Sequence, residues 1–265
     1  MRKAAAACLG GAAALGAYVR WVRPRVFSWG ATTEEATRPM AGDELCPRPQ
    51  LNATRAVTIA AGPEDIWPWL VQWGWNRAGF YSYDLLDNLG RPSARQILPQ
   101  FQHLAIGGWV PMGAKTTPNT AYRVARLEPG TLMLWDKPGG SWLWLLEPDG
   151  AGCTRLITRL RSRYAWARPT IVTELILMEI GDPFMMRKCL LGIQQRAERL
   201  AAGRRLQTLP RPAKDKAQWT HPGIRRRSPS RSAWGRRWRR WAASTETSPG
   251  KGPSTLAGWA RARPR

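Results

Sequence analysis

Between Thr120 and Tyr164 the chain passes through four β-rich stretches, TAYRVARL, TLMLWD, SWLWLL and CTRLITRLRSRY, parted by Glu128-Pro129-Gly130, Pro138-Gly139-Gly140 and Glu147-Pro148-Asp149-Gly150. These short connections constrain the fold more than any other feature. Parallel neighbours need crossovers of about a dozen residues, so the four stretches are predicted to pair as an antiparallel meander. In the last stretch Thr154, Leu156, Thr158 and Leu160 share one face, and Arg155, Arg159, Arg161 and Arg163 share the other, which water can cover. SWLWLL differs. Its Trp142, Trp144 and Leu146 alternate with Leu143 and Leu145, so both faces are apolar and both need cover.

Upstream, ATRAVTIAA (residues 53–61) alternates as a strand, and Gly62-Pro63-Glu64-Asp65 opens a helix with its acids in the first turn. WPWLVQWGW then sets four indoles in nine positions. Spacings of three and four place Trp67, Leu70 and Val71 inward, turn Trp69 and Trp73 toward neighbouring elements or the mouth of a cavity, and leave Trp75 in the loop after Gly74. FYSYDLLDNLG reads as a second short helix. From residue 170 the pattern is helical again: Asp182-Pro183 divides IVTELILMEI from a long amphipathic segment in which Met186, Leu190, Ile193, Ala197 and Leu200 recur.

This order defines an α+β class. A curved antiparallel sheet needs its concave face covered, and the long C-terminal helix is the element able to cover it, after two short helices that follow the first strand. The space between sheet and helix is where an apolar small molecule is expected.

The ends read differently. Residues 1–25 form an N-terminal hydrophobic segment whose uncharged run, 4–19, reaches about 24 Å as a helix, short of a 30 Å hydrocarbon core. A membrane anchor is the first reading, and a cleaved signal peptide or a soluble helix are the others. Arg20, Arg23 and Arg25 after the run place the domain on the cytoplasmic side, at a bacterial inner membrane. Residues 26–52 look like an extended lead-in. Residues 1–202 hold 24 basic against 16 acidic residues and residues 203–265 hold 17 against 2, so most of the net charge of +23 belongs to the tail. That Arg/Pro/Ser-rich tail cannot bury enough apolar area to offset the entropy of ordering it and is expected to be disordered. Its RRRSPSR and WGRRWRRW are candidate contacts for anionic lipid or nucleic acid. The four cysteines are widely separated and only His103 and His221 stand beside them, so neither a metal site nor another cofactor is expected.

RPRVFSWGATTEE, MAGDEL, TRAVTIAAGPEDIWPWLVQWG, RAGFYSYDLLDNLG and DPFMMRKCLLGIQQRAE resemble a bacterial branch of the SRPBCC superfamily, the helix-grip proteins that include START-like lipid carriers and polyketide cyclases and dehydratases. The resemblance covers about residues 23–202. It implies a helix-grip fold with a cavity in a ligand-binding domain at 53–202, and it carries over no catalytic residue.

The candidate site residues are Arg77, Tyr81, Tyr83 and Asp84, as hydrogen-bonding groups for a carbonyl or carboxylate head, and Trp69, Trp73, Trp142, Trp144, Met178 and Met186, as apolar lining. The more ordinary reading of the same polar residues is as a helix cap and packed tyrosines, which are commoner than ligand contacts. His103 has no nucleophile to activate, and Glu174 and Glu179 stand in an otherwise apolar stretch. The expected function is a membrane-anchored binding protein for a hydrophobic small molecule, lipid or polyketide-like, held between sheet and C-terminal helix. The alternative is an enzyme of the cyclase or dehydratase type using the same cavity.

Overall fold

The structure, a computed structural model, describes residues 2–208. The expectations for the basic tail beyond residue 208 lie outside the described residues. An N-terminal helix α1 (Arg2–Ala17) continues through a π-helical turn (Tyr18–Val22) into α2 (Arg23–Phe27), followed by α3 (Thr33–Thr37). Then come β1 (Leu51–Ile59), α4 (Pro63–Val71), α5 (Asp84–Asp87) and a single 3-10 turn at Pro99–Phe101. Strands β2 (Trp109–Pro111), β3 (Ala121–Glu128), β4 (Leu132–Lys137), β5 (Gly140–Pro148) and β6 (Thr154–Ser162) complete the sheet. The chain closes with α6 (Ile171–Ile176), a second π turn (Leu177–Gly181) and α7 (Asp182–Thr208).

All six strands form one curved antiparallel sheet in the order β1-β6-β5-β4-β3-β2. The meander is as the turns predict, and β1 closes back onto β6 in register from Leu51↔Ser162 to Ile59↔Thr154. β2 was not legible: three residues are too few to show a period. The architecture is the helix-grip class, with Met186, Cys189, Leu190, Ile193, Ala197 and Ala201 of α7 buried against the sheet.

Asp182-Pro183 does not break the terminal helix. Proline has no N–H to donate and its ring crowds the preceding turn, so the backbone widens into the π turn at Leu177–Gly181 and continues as helix. The same device precedes Pro24, where the π turn Tyr18–Val22 leads into α2. α7 also runs past Gly203 to Thr208, so the tail expected from residue 203 begins inside a helix. Among the described residues no helix is long and apolar enough to cross a membrane, which leaves the anchor expected in residues 1–25 without a spanning helix.

The segment expected as an extended lead-in, 26–52, is folded onto the outer face of the sheet. Met40 packs there with Ala56, Leu132, Leu134, Leu143 and Ile157 in a second apolar cluster. This strap covers the arginine face of β6 that was expected to be wet. Arg159 is 2 % exposed, bonded to Asp43 at 2.9 Å and to the carbonyl oxygens of Glu35 and Arg38. Arg155 pairs with Glu35 and Arg161 with Asp43, both at 2.8 Å. The demand of β5 for cover on both faces is met: Leu143 is buried under the strap and Trp142 and Trp144 on the concave side.

Candidate functional site

The concave side of the sheet is filled with indole. Trp73 stacks on Trp135 with centroids 5.5 Å apart, and Trp142 stacks on Trp144 at the same separation. Tyr122 meets Trp142 edge-on, and Phe80 meets Trp73 edge-on at 4.8 Å. The packing follows from the register, which sets Trp135 opposite Trp142 and Met133 opposite Trp144 across β4 and β5. Trp73 Nε1 donates to the Phe80 carbonyl and Trp142 Nε1 to Thr158 Oγ1, while Trp135 and Trp144, both fully buried, have indole N–H groups without a partner among the described residues. The space where a ligand was expected therefore holds side chains.

The indoles of WPWLVQWGW divide otherwise than the spacing predicts. Pro68 lies inside α4, and Leu70 and Val71 are buried as the spacing predicts, but Ile66 and Trp69 join them while Trp67 is only half-buried. Trp73 and Trp75, beyond the helix end, are buried because the loop turns Trp73 under β4 and β5 and Trp75 toward the edge strand β2, where Trp75 N–H donates to the Pro111 carbonyl.

A cleft of about 780 Å³ opens instead on the flank of α7. One wall is α7, with Lys188, Gly192, Gln195, Arg196, Arg199 and Leu200; the other is Trp69 of α4 with the loop that carries Tyr81, Ser82, Asp84, Ser93, Arg95, Gln96 and Ile97. No strand lines it. Tyr81 is its hinge-pin. The residue takes a left-handed φ of +57°, its N–H donates to Ser93 Oγ, and its hydroxyl donates to the Trp69 carbonyl oxygen while accepting from Gln72 Nε2, all at 3.0 Å. Burial pushes the Tyr81 phenol well above the ordinary range, so it stays protonated. Arg196 lies over the Tyr81 ring at 4.5 Å and donates to the Ala94 carbonyl at 2.9 Å, tying the two walls together. Burial lowers its pKa, with Tyr81 and Asp84 opposing, and a guanidinium starts so high that it remains charged. α7 approaches closely because position 192 is glycine; a Cβ there would collide with the Tyr81 carbonyl oxygen.

The electrostatics of the cleft are one-sided. Arg95, Lys188, Arg196 and Arg199 face it against one carboxylate, Asp84, which is already engaged by the N–H and hydroxyl of Ser93. Trp69, Ile97 and Leu200 supply apolar wall. Trp69 Nε1–H is shut off from solvent and has no acceptor among the described residues. Such a group costs about 1–3 kcal/mol unless something completes it.

Of the residues singled out from sequence, Trp69, Tyr81 and Asp84 meet in this cleft. Arg77 does not: it lies over Phe101 at 4.9 Å and donates to the carbonyls of Val71 and Phe101, pegging the 97–102 loop to the end of α4. Tyr83 is exposed beside α5, and Trp73, Trp142, Trp144 and Met186 are core, with Met178 packed against it. His103 is exposed and outside the cleft. Glu179 is half-buried and bonded to Arg23 by both oxygens, to Tyr164 at 2.7 Å and to Tyr18. Burial works against its charge, yet these donors hold its carboxyl below the usual value. Ser93, Arg95, Lys188, Arg196 and Arg199 were not picked out from sequence. The signal was present: Lys188, Gly192, Gln195, Arg196 and Arg199 form a basic stripe at helical spacing with a glycine in its middle.

The fold and the cleft together define a helix-grip protein with a basic, partly apolar groove beside its closing helix. No family model matches the chain, and no curated protein matches it. Among solved structures it is similar to a protein from Nitrosomonas europaea (14 % identity, TM-score 0.36, covering 57 % of this chain and 97 % of that one). It is also similar to a protein from Mesorhizobium loti (16 %, TM-score 0.32, 55 % and 98 %) and to a protein from Corynebacterium glutamicum described as Polyketide_cyc-like (16 %, TM-score 0.28, 61 % and 94 %).

Proposed function

We propose that this chain is a membrane-associated binding protein for a hydrophobic small molecule that carries an acidic head group, taken up in the cleft between α7 and the 81–97 loop. The observation that carries this reading is the pairing, in one cleft, of four basic side chains with an apolar wall. A carboxylate or phosphate head matches the cations through charge-assisted hydrogen bonds, and an alkyl or aromatic body matches Trp69, Ile97 and Leu200. Membrane association is supported by the uncharged run of α1, whose residues from Leu9 to Gly16 are exposed.

Binding is favoured over the cyclase or dehydratase reading by the state of the cleft's hydroxyls. Tyr81 donates to a backbone carbonyl, Ser82 donates to the Met185 carbonyl, and Ser93 is held by Asp84. Tyr81 and Ser82 are thereby taken up by backbone carbonyls, and Ser93 is buried with its Oγ accepting from the Tyr81 N–H.

The test is titration of the full chain with oleate and with methyl oleate, followed by calorimetry. Oleate is expected to bind, and the ester, which lacks the charge, to bind at least about tenfold more weakly. Lys188→Ala with Arg199→Ala is expected to weaken oleate by about tenfold and to leave the ester unchanged. Equal binding of acid and ester, or indifference of the acid to the double substitution, would falsify the reading.

A further inference from the structure

The outer side of the helical run Ile171–Gly181 and the start of α7 is apolar. Val172, Ile176, Ile180 and Phe184 recur at intervals of four and are all exposed, with Leu177 beside them, while Ile171, Leu175 and Met178 on the inner side pack against the core. A surface helix of a water-soluble domain normally shows the reverse pattern. Glu179, in the middle of this run, is the residue that Arg23, Tyr18 and Tyr164 all grasp. That junction brings a second apolar group alongside, because exposed Val19, Trp21 and Val22 lie in the same π turn as Tyr18. Exposed Trp166 joins them through its edge-to-face contact with Tyr164 at 5.8 Å.

The charges near this patch have one sign. Arg20, Arg25, Arg163 and Arg168 are exposed within a few residues of it. The acids are withdrawn: Glu179 is held by Arg23, Asp182 by Arg55 at 2.6 Å, and Glu174 is half-buried. Exposed tryptophans rimmed by arginines beside an aliphatic stripe match the layers of a lipid surface, with indole at the headgroup level, guanidinium on anionic headgroups and aliphatic side chains below. A protein partner fits less well. From Leu9 to Gly16 α1 is exposed on every side and carries no charge, and a partner covers one side of a helix, whereas a bilayer surrounds it. At about 24 Å the uncharged run is also shorter than the hydrocarbon layer, so insertion draws the domain against the surface.

We infer that the face formed by the Tyr18–Val22 turn, Trp166 and the outer side of residues 172–184 is a docking surface that seats the folded domain on a bilayer containing anionic lipid. This rests on the reading that α1 meets a membrane, and it adds a second contact made by the domain itself. The test uses the full chain with vesicles of phosphatidylcholine and phosphatidylglycerol that include a phosphatidylcholine bearing a photoactivatable acyl chain. After photolysis, lipid adducts are mapped by peptide mass spectrometry, and flotation at high salt is compared with that of Ile176→Glu/Ile180→Glu. Adducts are expected on both 17–22 and 172–184, and the double substitution is expected to lower the floated fraction at least about threefold, with far-ultraviolet circular dichroism and oleate titration unchanged. Adducts confined to α1 overturn the docking surface and leave membrane association standing. Absence of both adducts and flotation overturns both. A doubled mass in solution that disappears with Ile176→Glu/Ile180→Glu overturns it in favour of a second copy as the occupant.

Discussion

Tyr81 shows how one residue shapes the cleft. A left-handed φ is costly for a side chain of this size and persists only where the surroundings over-determine it. Here Ser93, Trp69, Gln72 and Arg196 all hold it, and Gly192 makes room for its carbonyl. Gly192→Ala is therefore expected to destabilise the fold by about 1–3 kcal/mol in urea denaturation, since either α7 or the loop must move. Asp87 offers a pH-dependent case. Burial drives its carboxyl up to about 6 from 3.8. The folded state then holds a proton that the unfolded state has released, so stability falls as pH rises from about 4 to about 6 and the penalty is complete above that. Both carboxylate oxygens are shut off from solvent, so the effect is about 1–3 kcal/mol. Thermal melts of Asp87→Asn should show that gain near pH 7.5 and none near pH 3.5; an equal gain at both would rule out the titration.

At the level of elements, the strap of residues 26–52 is the main addition to the sequence reading. Its helix α3 is started by a capping box in which Thr32 and Glu35 satisfy each other's backbone N–H, and Glu35 also reaches Arg155 of the sheet. Asp43 sits between Arg159 and Arg161. Removing it by Asp43→Ala leaves the buried Arg159 guanidinium without its counter-ion, at an expected cost of about 3 kcal/mol by chemical denaturation. Asp43→Leu combined with Arg159→Leu should recover most of the loss, because no lone charge remains buried; failure to recover would assign the cost to packing. The alternation in β6 identified its two faces correctly, but arginine on a face reads as solvated until an element bearing acids is known to lie over it. Glu35 and Asp43 lie far from Arg155, Arg159 and Arg161 in the chain, and nothing local links them.

For the molecule as a whole, binding in the cleft should carry the mark of its charge. Raising ionic strength from low to physiological values is expected to weaken oleate several-fold in the same calorimetric titration and to leave methyl oleate unaffected. An affinity for oleate that ignores salt would put the head group away from the four cations. The turns at Pro129-Gly130 and Gly139-Gly140 were enough to establish an antiparallel order, because hairpin connections are local, and the stripe from Met186 to Ala197 was enough to say that the last helix faces the sheet. The location of the cleft was not legible in this way. Trp69 was singled out as possible lining and is so, but Trp73, Trp142 and Trp144 were singled out on the same grounds and instead fill the core. Periodicity tells which side of an element is covered and is silent on what covers it. The sequence by itself determined β1, the strands β3 to β6, their antiparallel succession and the grip of sheet on the last helix. Only the tertiary structure decided that Trp73, just beyond α4, meets the indoles of β4 and β5 and closes the concave space, and that Gly192 lets a basic cleft form beside α7. Residual volume is the small difference between large side-chain volumes contributed by residues far apart in the chain, and no local pattern encodes it.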